Sequence, residues 1–375
     1  HEDAGGHPLK KKALEWLVQD VENRVPKAAK MASLGQKMQN RLLGFIPEVW
    51  KRRMQSPLFS GRGPKVGYTN LYEALRLHRG SVFSPSEVAQ GTPCVIYFPG
   101  CGGGLFYDRI GLSSIMLLLR AGFAVAVPPR HLCCGYPLLA AGMDTAFEDN
   151  LSHNRQYLSA MIRNLGKQGF EVAHLVTSCG TCLDGLERIG LTEQFTGLGQ
   201  RDVLQLVLPL LKKEQLEHPL PPGTSLVYHA SCHSEWAGIP AAKGQKQIVA
   251  ALSNFSGAKV LLNGGCCGES GMGALTSPQI YNLLRSRKQI SLQRTFAEID
   301  GPEAQAGKSG TLPPVLVGCP SCKIGIGRCL INLHDKRPVL HVAEWVAGMM
   351  DGEDRRQSFR RRVNETRGDV RVVKG

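Results

Sequence analysis

The sequence lacks any apolar run long enough to cross a membrane. One of the longest, Ile115 to Leu119, covers only five residues, whereas a transmembrane helix needs about 20. Aromatic residues make up 6% of the chain, and no aromatic-rich stacking segment or nucleic-acid recognition motif accompanies the basic residues. We therefore expect no bilayer span and no nucleic-acid ligand.

Acidic residues are scarce. The chain has 31 Asp and Glu against 45 Lys and Arg, which gives a formal net charge of +14. Much of the excess falls in Lys10 to Lys12, Lys51 to Arg53 and Arg355 to Arg371. Such clusters favour a solvated basic surface, an acidic partner protein, or peripheral contact with anionic lipid at the inner face of the membrane, which liposome co-sedimentation would test.

The sequence also lacks the features of a disulfide-stapled protein, although it contains 12 cysteines. Disulfide frameworks belong mostly to small secreted domains, whereas 375 residues with 42% hydrophobic composition can bury ordinary cores. The first residues have neither an initiator Met nor the layout of a secretory signal, so we expect a cytoplasmic chain that is a piece of a longer protein. Thiols in such a reducing compartment are available to bind metal.

Ten of the cysteines form one pattern that occurs twice. A single Cys is followed by a Cys-Cys-Gly motif and then by Cys-x-x-Cys. The first set comprises Cys101, Cys133, Cys134, Cys179 and Cys182, and the second set comprises Cys232, Cys266, Cys267, Cys319 and Cys322. Corresponding cysteines lie 131, 133 and 140 residues apart, so the offset changes only by loop-sized insertions. The pattern therefore indicates a tandem duplication.

Each cysteine motif follows a short apolar run that is typical of a buried strand, and helical segments separate these runs. The pattern predicts an α/β fold with two tandem Rossmann-like βαβαβ repeats preceded by a helical arm. Because ligands collect at the carboxyl ends of parallel strands, the cysteines of each half should converge. The predicted regions are a helical arm over 1–57, a linker over 58–91, a first domain over 92–222, a second domain over 223–346, and a basic C-terminal tail over 347–375 whose composition predicts disorder.

Three local features give predictions of their own. Pro26 should end or kink the first helix of the arm, and Thr192 to Leu211 should form a helical connection between the repeats. The glycines of Cys101 to Gly104 lack the Lys-Ser/Thr end of a P-loop. We interpret them as allowing the backbone to approach a metal site closely.

Each half offers five thiols, one more than a structural zinc site uses. Thiolates select zinc, copper(I) or iron-sulphur clusters. Two adjacent cysteines do not easily wrap one small tetrahedral ion, but they can bind neighbouring irons of a larger cluster. The count favours iron-sulphur, and zinc in one or both halves remains an alternative. Cys94 and Cys329 fall outside the pattern, and we expect them to be buried core thiols.

The tandem of Cys, Cys-Cys-Gly and Cys-x-x-Cys resembles the cysteine-rich CCG-domain family over about Cys94 to Leu330. This family includes the B subunit of heterodisulfide reductase and the iron-sulphur subunits of glycolate, lactate and anaerobic glycerol-3-phosphate oxidoreductases. The resemblance implies up to two [4Fe-4S] clusters, which are noncubane in the heterodisulfide reductase branch. By resemblance, the first set of five cysteines would hold one cluster and the second set the other.

The resemblance also implies a function. It predicts an iron-sulphur electron-transfer module, the C-terminal part of a FAD-linked dehydrogenase of the D-lactate or glycolate type, which passes electrons to a quinone or another carrier. Its partners would be a FAD-containing dehydrogenase part and a ferredoxin-like iron-sulphur domain, since the chain opens on a helical linker without the ferredoxin-like segment of many relatives. The alternatives are disulfide reduction at a noncubane cluster, as in heterodisulfide reductase, and a zinc-stabilised interaction module without a redox role.

Other polar residues near the motifs give weaker signals. His131, His229 and His233 can ligate or tune a cluster or relay a proton, although structural and surface roles are more common for such residues. Glu235 and Glu269 can take up protons beside the second set. Their spacing does not distinguish them from surface carboxylates.

Overall fold

The computed structural model describes residues 12–13, 16–17, 19–42, 69–79, 81–85, 91–233, 235–269, 278–304, 312–365 and 370–372. The basic cluster Lys51 to Arg53 and much of the predicted linker lie outside the described residues. None of the described helices is both long enough and apolar enough to cross a membrane.

Helices and strands alternate along most of the described chain. The helices are α1 Val21–Leu42, α2 Leu71–Ala74, α3 Asp108–Arg120, α4 Tyr136–Ala140, α5 Asp144–Lys167, α6 Gly180–Glu187, α7 Leu191–Gln194, α8 Val203–Val207, α9 Ala241–Ser256, α10 Pro278–Ala304, α11 Pro320–Asn332 and α12 Val342–Glu365. The strands are β1 Val82–Ser84, β2 Thr92–Phe98, β3 Ala124–Ala126, β4 Phe170–Thr177, β5 Gly199–Asp202, β6 Ser225–His229, β7 Lys259–Asn263, β8 Val315–Val317, β9 Val339–His341 and β10 Val370–Val372. Short 3-10 turns cover Leu77–Arg79, Leu208–Leu210 and Lys213–Gln215, and a π-helical turn covers Gly102–Phe106.

The described strands form two sheets. The first has six strands in the order β10-β1-β3-β2-β4-β5, and the second has four in the order β7-β6-β8-β9. Neighbouring strands are parallel except for β1 and β3. The order β3-β2-β4-β5 in the first sheet therefore matches β7-β6-β8-β9 in the second. The predicted α/β class with two Rossmann-like repeats is confirmed.

The predicted strands and helices of both repeats are present, although several helices are longer than predicted. Each repeat also has a fourth strand, β5 or β9, that the sequence pattern does not predict. β5 falls inside Thr192 to Leu211, which was expected to be helical, so that prediction is wrong at this strand. Its sequence, Gly-Gln-Arg-Asp, has no apolar residue to mark a strand. Backbone pairing with β4 forms the strand instead.

Both halves contribute to both hydrophobic clusters of the protein. Val95 of β2 and Leu226 of β6 lie in one cluster. Successive side chains of a strand point to opposite faces of the sheet. The neighbours of Val95 and Leu226 on the opposite faces, Ile96 and Val227, lie in the other cluster. These strands are buried on both faces, as is usual for parallel strands covered by helices. The two halves therefore share their cores.

Part of the segment predicted to be a linker lies in the first of these clusters. Leu71, Leu75 and Phe83 are fully buried. Strand β1 pairs with β3 in antiparallel orientation, with Val82 opposite Ala126. The structure therefore differs from a linker at residues 69–79 and 81–85, where apolar residues are interspersed among the glycines, prolines and basic residues of the region.

Helix α12 extends far into the predicted basic tail. It runs to Glu365 and is broken at Gly352, where φ is 67°. Phe359 and Val363 are 2% and 0% exposed, and β10 pairs with β1. The predicted disorder is therefore wrong for the described part of the tail. Two apolar residues one helical turn apart bury themselves despite the surrounding arginines.

The arm is helical, as predicted, over the described residues of α1. This helix continues through Pro26, which the sequence predicts to end or kink it. Glu22 of the arm forms an ion pair of 3.1 Å with Arg130 and lies 3.4 Å from His153 Nε2. The arm therefore lies against the first repeat.

Phe359→Ala should lower the free energy of unfolding by about 3 kcal/mol, because it removes a buried aromatic ring and leaves a cavity. Urea denaturation measures the change. Ser358→Ala alters an exposed side chain on the same helix and should change the free energy of unfolding by less than about 0.5 kcal/mol. Equal effects of the two substitutions would contradict the packing of α12 against the first repeat.

Candidate metal centres

The first cysteine set lies at the carboxyl ends of three parallel strands. Cys101 follows β2, and Cys133 and Cys134 follow β3. Cys179 follows β4 and precedes α6, whose first turn contains Cys182. The chain crosses from one side of β2 to the other between β3 and β4. Ligands of doubly wound sheets collect at such a switch point, so the convergence expected from the sequence is present.

The second set repeats this placement. Cys232 follows β6, Cys266 and Cys267 follow β7, and Cys319 precedes α11, whose first turn contains Cys322. All twelve cysteines of the chain are free thiols. Cys232 is exposed and Cys266 is partly buried, whereas the other three are buried. The second set is therefore open to solvent at one end.

The two sets meet and form one continuous row of ten thiols. Each thiol perturbs the pKa of the next in the order Cys101, Cys133, Cys134, Cys182, Cys179, Cys319, Cys322, Cys267, Cys266 and Cys232. At the centre of the row, Cys179 Sγ lies 3.6 Å from Cys319 Sγ. These two residues are equivalent in the repeats. From the centre outward, both halves of the row therefore have the Cys-x-x-Cys thiols first, then the Cys-Cys-Gly thiols, and the single cysteine last.

Crowding shifts the thiol pKa values in opposite directions. Hydrogen bonds from Cys101 and Cys134 hold the pKa of Cys133 well below its usual range. Equivalent hydrogen bonds from its two neighbours lower the pKa of Cys266 to about 2. The contact with Cys133, together with burial, raises the pKa of Cys101. Neighbouring thiolates repel one another, so a bound cation would allow more of the row to ionise together.

Two equivalent glycines allow the Cys-Cys-Gly loops to approach the helices that contain the Cys-x-x-Cys motifs. A Cβ on Gly185 of α6 would lie 2.8 Å from the carbonyl oxygen of Cys134, and a Cβ on Gly325 of α11 would lie 2.8 Å from that of Cys267. Real Cβ atoms essentially never approach within 3.0 Å. Sequence reasoning missed both glycines, although their separation equals that of the two Cys-x-x-Cys motifs.

The glycines after Cys101 pack against protein rather than against the thiols. A Cβ on Gly102 would overlap the ring of Pro320 in the second repeat, and a Cβ on Gly104 would lie 3.0 Å from the ring of Tyr72. The interpretation that these glycines let the backbone approach a metal site is therefore wrong. Close backbone approach at Gly102 instead joins the two repeats.

Hydrogen bonds orient the Cys-Cys-Gly loops. The N–H of Gly135 donates to Cys133 Sγ, and the N–H of Gly268 donates to Cys266 Sγ, each at 3.4 Å. The buried side chain of Asn154 donates to the carbonyl oxygen of Cys133 at 2.7 Å. The Gly N–H therefore holds the first cysteine of each vicinal pair in the same way in both repeats, and Asn154 adds a hydrogen bond in the first.

A buried lysine lies beside the second set. Lys288 is 2% exposed, and its Nζ donates to Asn263 Oδ1 at 2.7 Å and to the carbonyl oxygen of Gly264 at 2.6 Å. Burial lowers the pKa of Lys288 to about 8, and the nearby thiols oppose that shift. This residue places positive charge next to the thiols. No sequence motif marks it, because it lies inside the long helix α10.

Two of the three candidate histidines lie beside the thiols. His131 Nε2 is 3.6 Å from Cys101 Sγ, and its Nδ1 is 3.4 Å from the hydroxyl of Tyr72. His229 is fully buried, and its Nδ1 is 3.2 Å from the carbonyl oxygen of Asn263. Burial lowers the pKa of His131 to about 4 and that of His229 to about 3. Both imidazoles are therefore neutral near pH 7.

The remaining candidates have protein partners. His233 packs edge-on against Tyr136, with ring centroids 4.8 Å apart. Buried Glu235 accepts a hydrogen bond of 2.8 Å from the N–H of Ser231. Glu269 forms ion pairs with two arginines of the second repeat. Proton uptake by these carboxylates stays a prediction.

The two cysteines outside the repeated pattern lie in the core. Cys94 and Cys329 are both 0% exposed. Burial raises the pKa of Cys94 to about 12 and that of Cys329 to about 11. The prediction that they are buried core thiols is confirmed.

A cavity of about 500 Å³ lies beside the first set. Cys133 and His131 line it together with Asn150 and His153 of α5 and Glu22 of α1. The arm and the first repeat therefore both contribute to its wall. Cys133, the second thiol of the row, is accessible from this cavity.

Two segments of the chain, residues 95–187 and 226–327, match the family model of the cysteine-rich domain, CCG. Together they cover just over half of the chain, and each contains one complete cysteine set. The chain therefore belongs to the cysteine-rich CCG-domain family. The resemblance indicated by the cysteine pattern is confirmed.

Relatives of the chain include components of multisubunit oxidoreductases. The B subunit of a fumarate reductase (CoM/CoB) from Methanothermobacter marburgensis is 21% identical over 249 residues, which are 66% of this chain and 45% of that protein. The C subunit of the anaerobic glycerol-3-phosphate dehydrogenase from Escherichia coli is 27% identical over 194 residues, which are 50% of this chain and 46% of that protein. The matching part of the chain thus spans less than half of either relative.

The residues present fit the iron-sulphur clusters that the resemblance implies. Each half supplies five thiols in an unbroken row, and thiolates are the ligands that iron-sulphur clusters use. A single structural zinc ion would leave one thiol of each set unused. In the second half the Nε2 atom of His229 is also buried without a hydrogen-bond partner. The donor chemistry therefore suits a cluster of several metal ions in each half.

Gly325→Ala should displace the second Cys-Cys-Gly loop, because overpacking against backbone costs about 1–3 kcal/mol. We expect a lower Tm and loss of metal from the second set, measured by thermal unfolding and elemental analysis. Gly348→Ala in α12 is the matched control, since a Cβ there meets nothing within 4 Å. Unchanged Tm and metal content in Gly325→Ala would contradict the close approach of α11 to the loop.

Proposed function

We propose that the protein is an iron-sulphur electron-transfer module of a larger oxidoreductase. The observation that supports this most directly is the continuous row of ten thiols across the two repeats. The first set, Cys101, Cys133, Cys134, Cys179 and Cys182, would hold one [4Fe-4S] cluster, and the second set, Cys232, Cys266, Cys267, Cys319 and Cys322, would hold another. When bound, such clusters accept and donate single electrons.

The protein's own part in electron transfer is to hold the two sets next to each other and to tune them. Cys179 and Cys319 are in contact where the sets meet, which favours electron passage from one half to the other. The positive charge of Lys288 lies beside the second set and favours its more reduced, more negative state. Electrons would therefore move from the first set towards the second.

The relatives support partners for this module. Both are named as subunits of enzymes that reduce or oxidise small carbon compounds. We propose that a FAD-containing dehydrogenase part, acting on a 2-hydroxy acid such as lactate or glycolate, supplies electrons through a ferredoxin-like iron-sulphur domain. A quinone or another carrier would accept them, in the cytoplasm or at the inner face of the membrane.

We also propose that the two functional domains cover 92–222 and 223–346, wider than the family matches. The fourth strands β5 and β9 support domains that reach beyond the family matches, because each extends its sheet in the equivalent position. Each is followed at once by a helix, α8 or α12. The repeated unit is thus longer than the cysteine pattern alone.

Anaerobically purified protein should contain abundant iron and acid-labile sulphide and should absorb visible light. Cys133→Ser or Cys266→Ser should remove the iron-sulphur absorbance of its own half only, because each substitution deletes a ligand of one set. Cys94→Ser and Cys329→Ser are matched controls, since these buried thiols lie outside both sets. Their absorbance should equal that of the unsubstituted protein.

Two outcomes would contradict the proposal. Unchanged absorbance in both Cys133→Ser and Cys266→Ser would exclude these residues as ligands. A colourless protein with zinc and no sulphide would instead support the zinc-stabilised interaction module.

The cavity beside Cys133 favours a second candidate function, the reduction of a disulfide substrate. Disulfide reduction at a cluster needs an open cleft, and this cavity of about 500 Å³ reaches a cysteine of the first set. The S–S bond would break on uptake of two electrons and two protons, which gives two thiols. His153 lines the cavity and is a candidate to deliver protons.

Protein reduced by dithionite and freed of excess reductant should release thiol from a mixed disulfide if this second function is present. Ala146→Trp should abolish the release without changing the iron content, because Ala146 lines the cavity. Ala160→Trp lies on an exposed face of the same helix and should retain the release. No thiol from the unsubstituted reduced protein would rule out disulfide reduction and leave electron transfer as the function.

A further inference from the structure

The two repeats differ at the last residue of an equivalent strand. The dipeptide Tyr97-Phe98 ends β2, and Tyr228-His229 ends β6 at the equivalent position. Phe98 and His229 are both 0% exposed. The first repeat therefore buries an aromatic hydrocarbon where the second buries an imidazole. A buried polar ring without a partner is costly, so the histidine calls for a physical reason.

The hydrogen bond of His229 determines which of its nitrogens has a free lone pair. Its Nδ1 lies 3.2 Å from the carbonyl oxygen of Asn263. A carbonyl oxygen only accepts, so Nδ1 must be the protonated nitrogen. Nε2 then has a lone pair and no hydrogen, and it is buried without a hydrogen-bond partner. A metal-binding histidine has this arrangement, with one nitrogen fixed by a carbonyl and the other directed at the metal.

The ring of His229 is close to two thiols of the second set. One of its ring nitrogens, Cys267 Sγ and Cys322 Sγ all lie within 4.8 Å of one another. Metal–sulphur bonds of about 2.3 Å and metal–nitrogen bonds of about 2.0 Å place ligand atoms around a tetrahedral ion about 3.5–3.8 Å apart. Small side-chain movements would therefore bring all three atoms onto one metal ion.

We propose that His229 is a metal ligand, through Nε2, at the second site. This deepens the proposed function and rests on it, because the metal is taken to be iron of the second cluster. The second site is then a mixed imidazole and thiolate centre, whereas the first is ligated by thiolates alone. Where Nε2 occupies a position that a thiolate would otherwise fill, neutral imidazole leaves the centre less negative and raises its reduction potential. The second cluster is thus the better electron acceptor of the two.

His131 provides the natural comparison within the same chain. Its Nε2 lies 3.6 Å from Cys101 Sγ, and its Nδ1 lies 3.4 Å from the hydroxyl of Tyr72. Both of its nitrogens therefore have protein partners. His131 is a neighbour of the first set rather than a ligand. It is therefore a control for whether an imidazole that is only close to the thiols gives the nitrogen coupling expected of a ligand.

The experiment is pulsed electron paramagnetic resonance on the reduced full chain, labelled with 15N-histidine. We expect a strong nitrogen coupling of the kind given by a metal-bound nitrogen. His229→Phe, which copies the residue of the first repeat, should lose this coupling and lower one of two reduction potentials. His131→Phe should keep both the coupling and that potential.

Iron and sulphide content, measured first, separates failure of the inference from failure of the proposed function. Protein without iron and sulphide would overturn the proposed function itself. Full iron and sulphide with no strong 15N coupling in the unsubstituted protein would overturn only the ligand assignment, and this result needs no variant to fold. Retention of the coupling in His229→Phe would overturn it as well.

Discussion

The contact between ten thiols in a single row is the constraint on which the rest of the structure depends. Thiols come this close only if six strand ends converge and the two repeats pack with Cys179 against Cys319. The Cys-Cys-Gly loops must also approach α6 and α11 so closely that only glycine fits at positions 185 and 325. Each thiol perturbs the ionisation of its neighbours, so the same crowding that defines the site makes cation binding favourable.

Duplication has given two halves with the same skeleton and different surroundings. The sheet order, the cysteine order and the Gly N–H to Sγ hydrogen bonds are shared by both repeats. The first set borders a cavity beneath the arm, whereas the second has a buried lysine, a buried histidine and an exposed Cys232. Equivalent ligands in unequal electrostatic environments favour electron transfer between the two sets in one direction.

The segments before and after the repeats are part of the fold. Strands β1 and β10 extend the first sheet beyond the duplicated strands, and α12 packs along α3, where Arg120 pairs with the buried Asp351. Phe83 and Phe359, from opposite ends of the described chain, meet in the same cluster. Removal of the basic C-terminal residues would therefore also remove part of the hydrophobic core.

The duplication, the α/β class and the ten candidate ligands could be predicted from the sequence, because cysteine spacing and apolar runs are local patterns that need no knowledge of contacts. The sequence also placed Cys94 and Cys329 in the core. Tertiary structure alone decided that the two sets form one row, since the contact of Cys179 with Cys319 joins residues 140 positions apart. It likewise decided the strand β5, the buried end of α12 and the free nitrogen of His229. These features arise from pairing and burial between distant segments, on which composition and periodicity have no bearing.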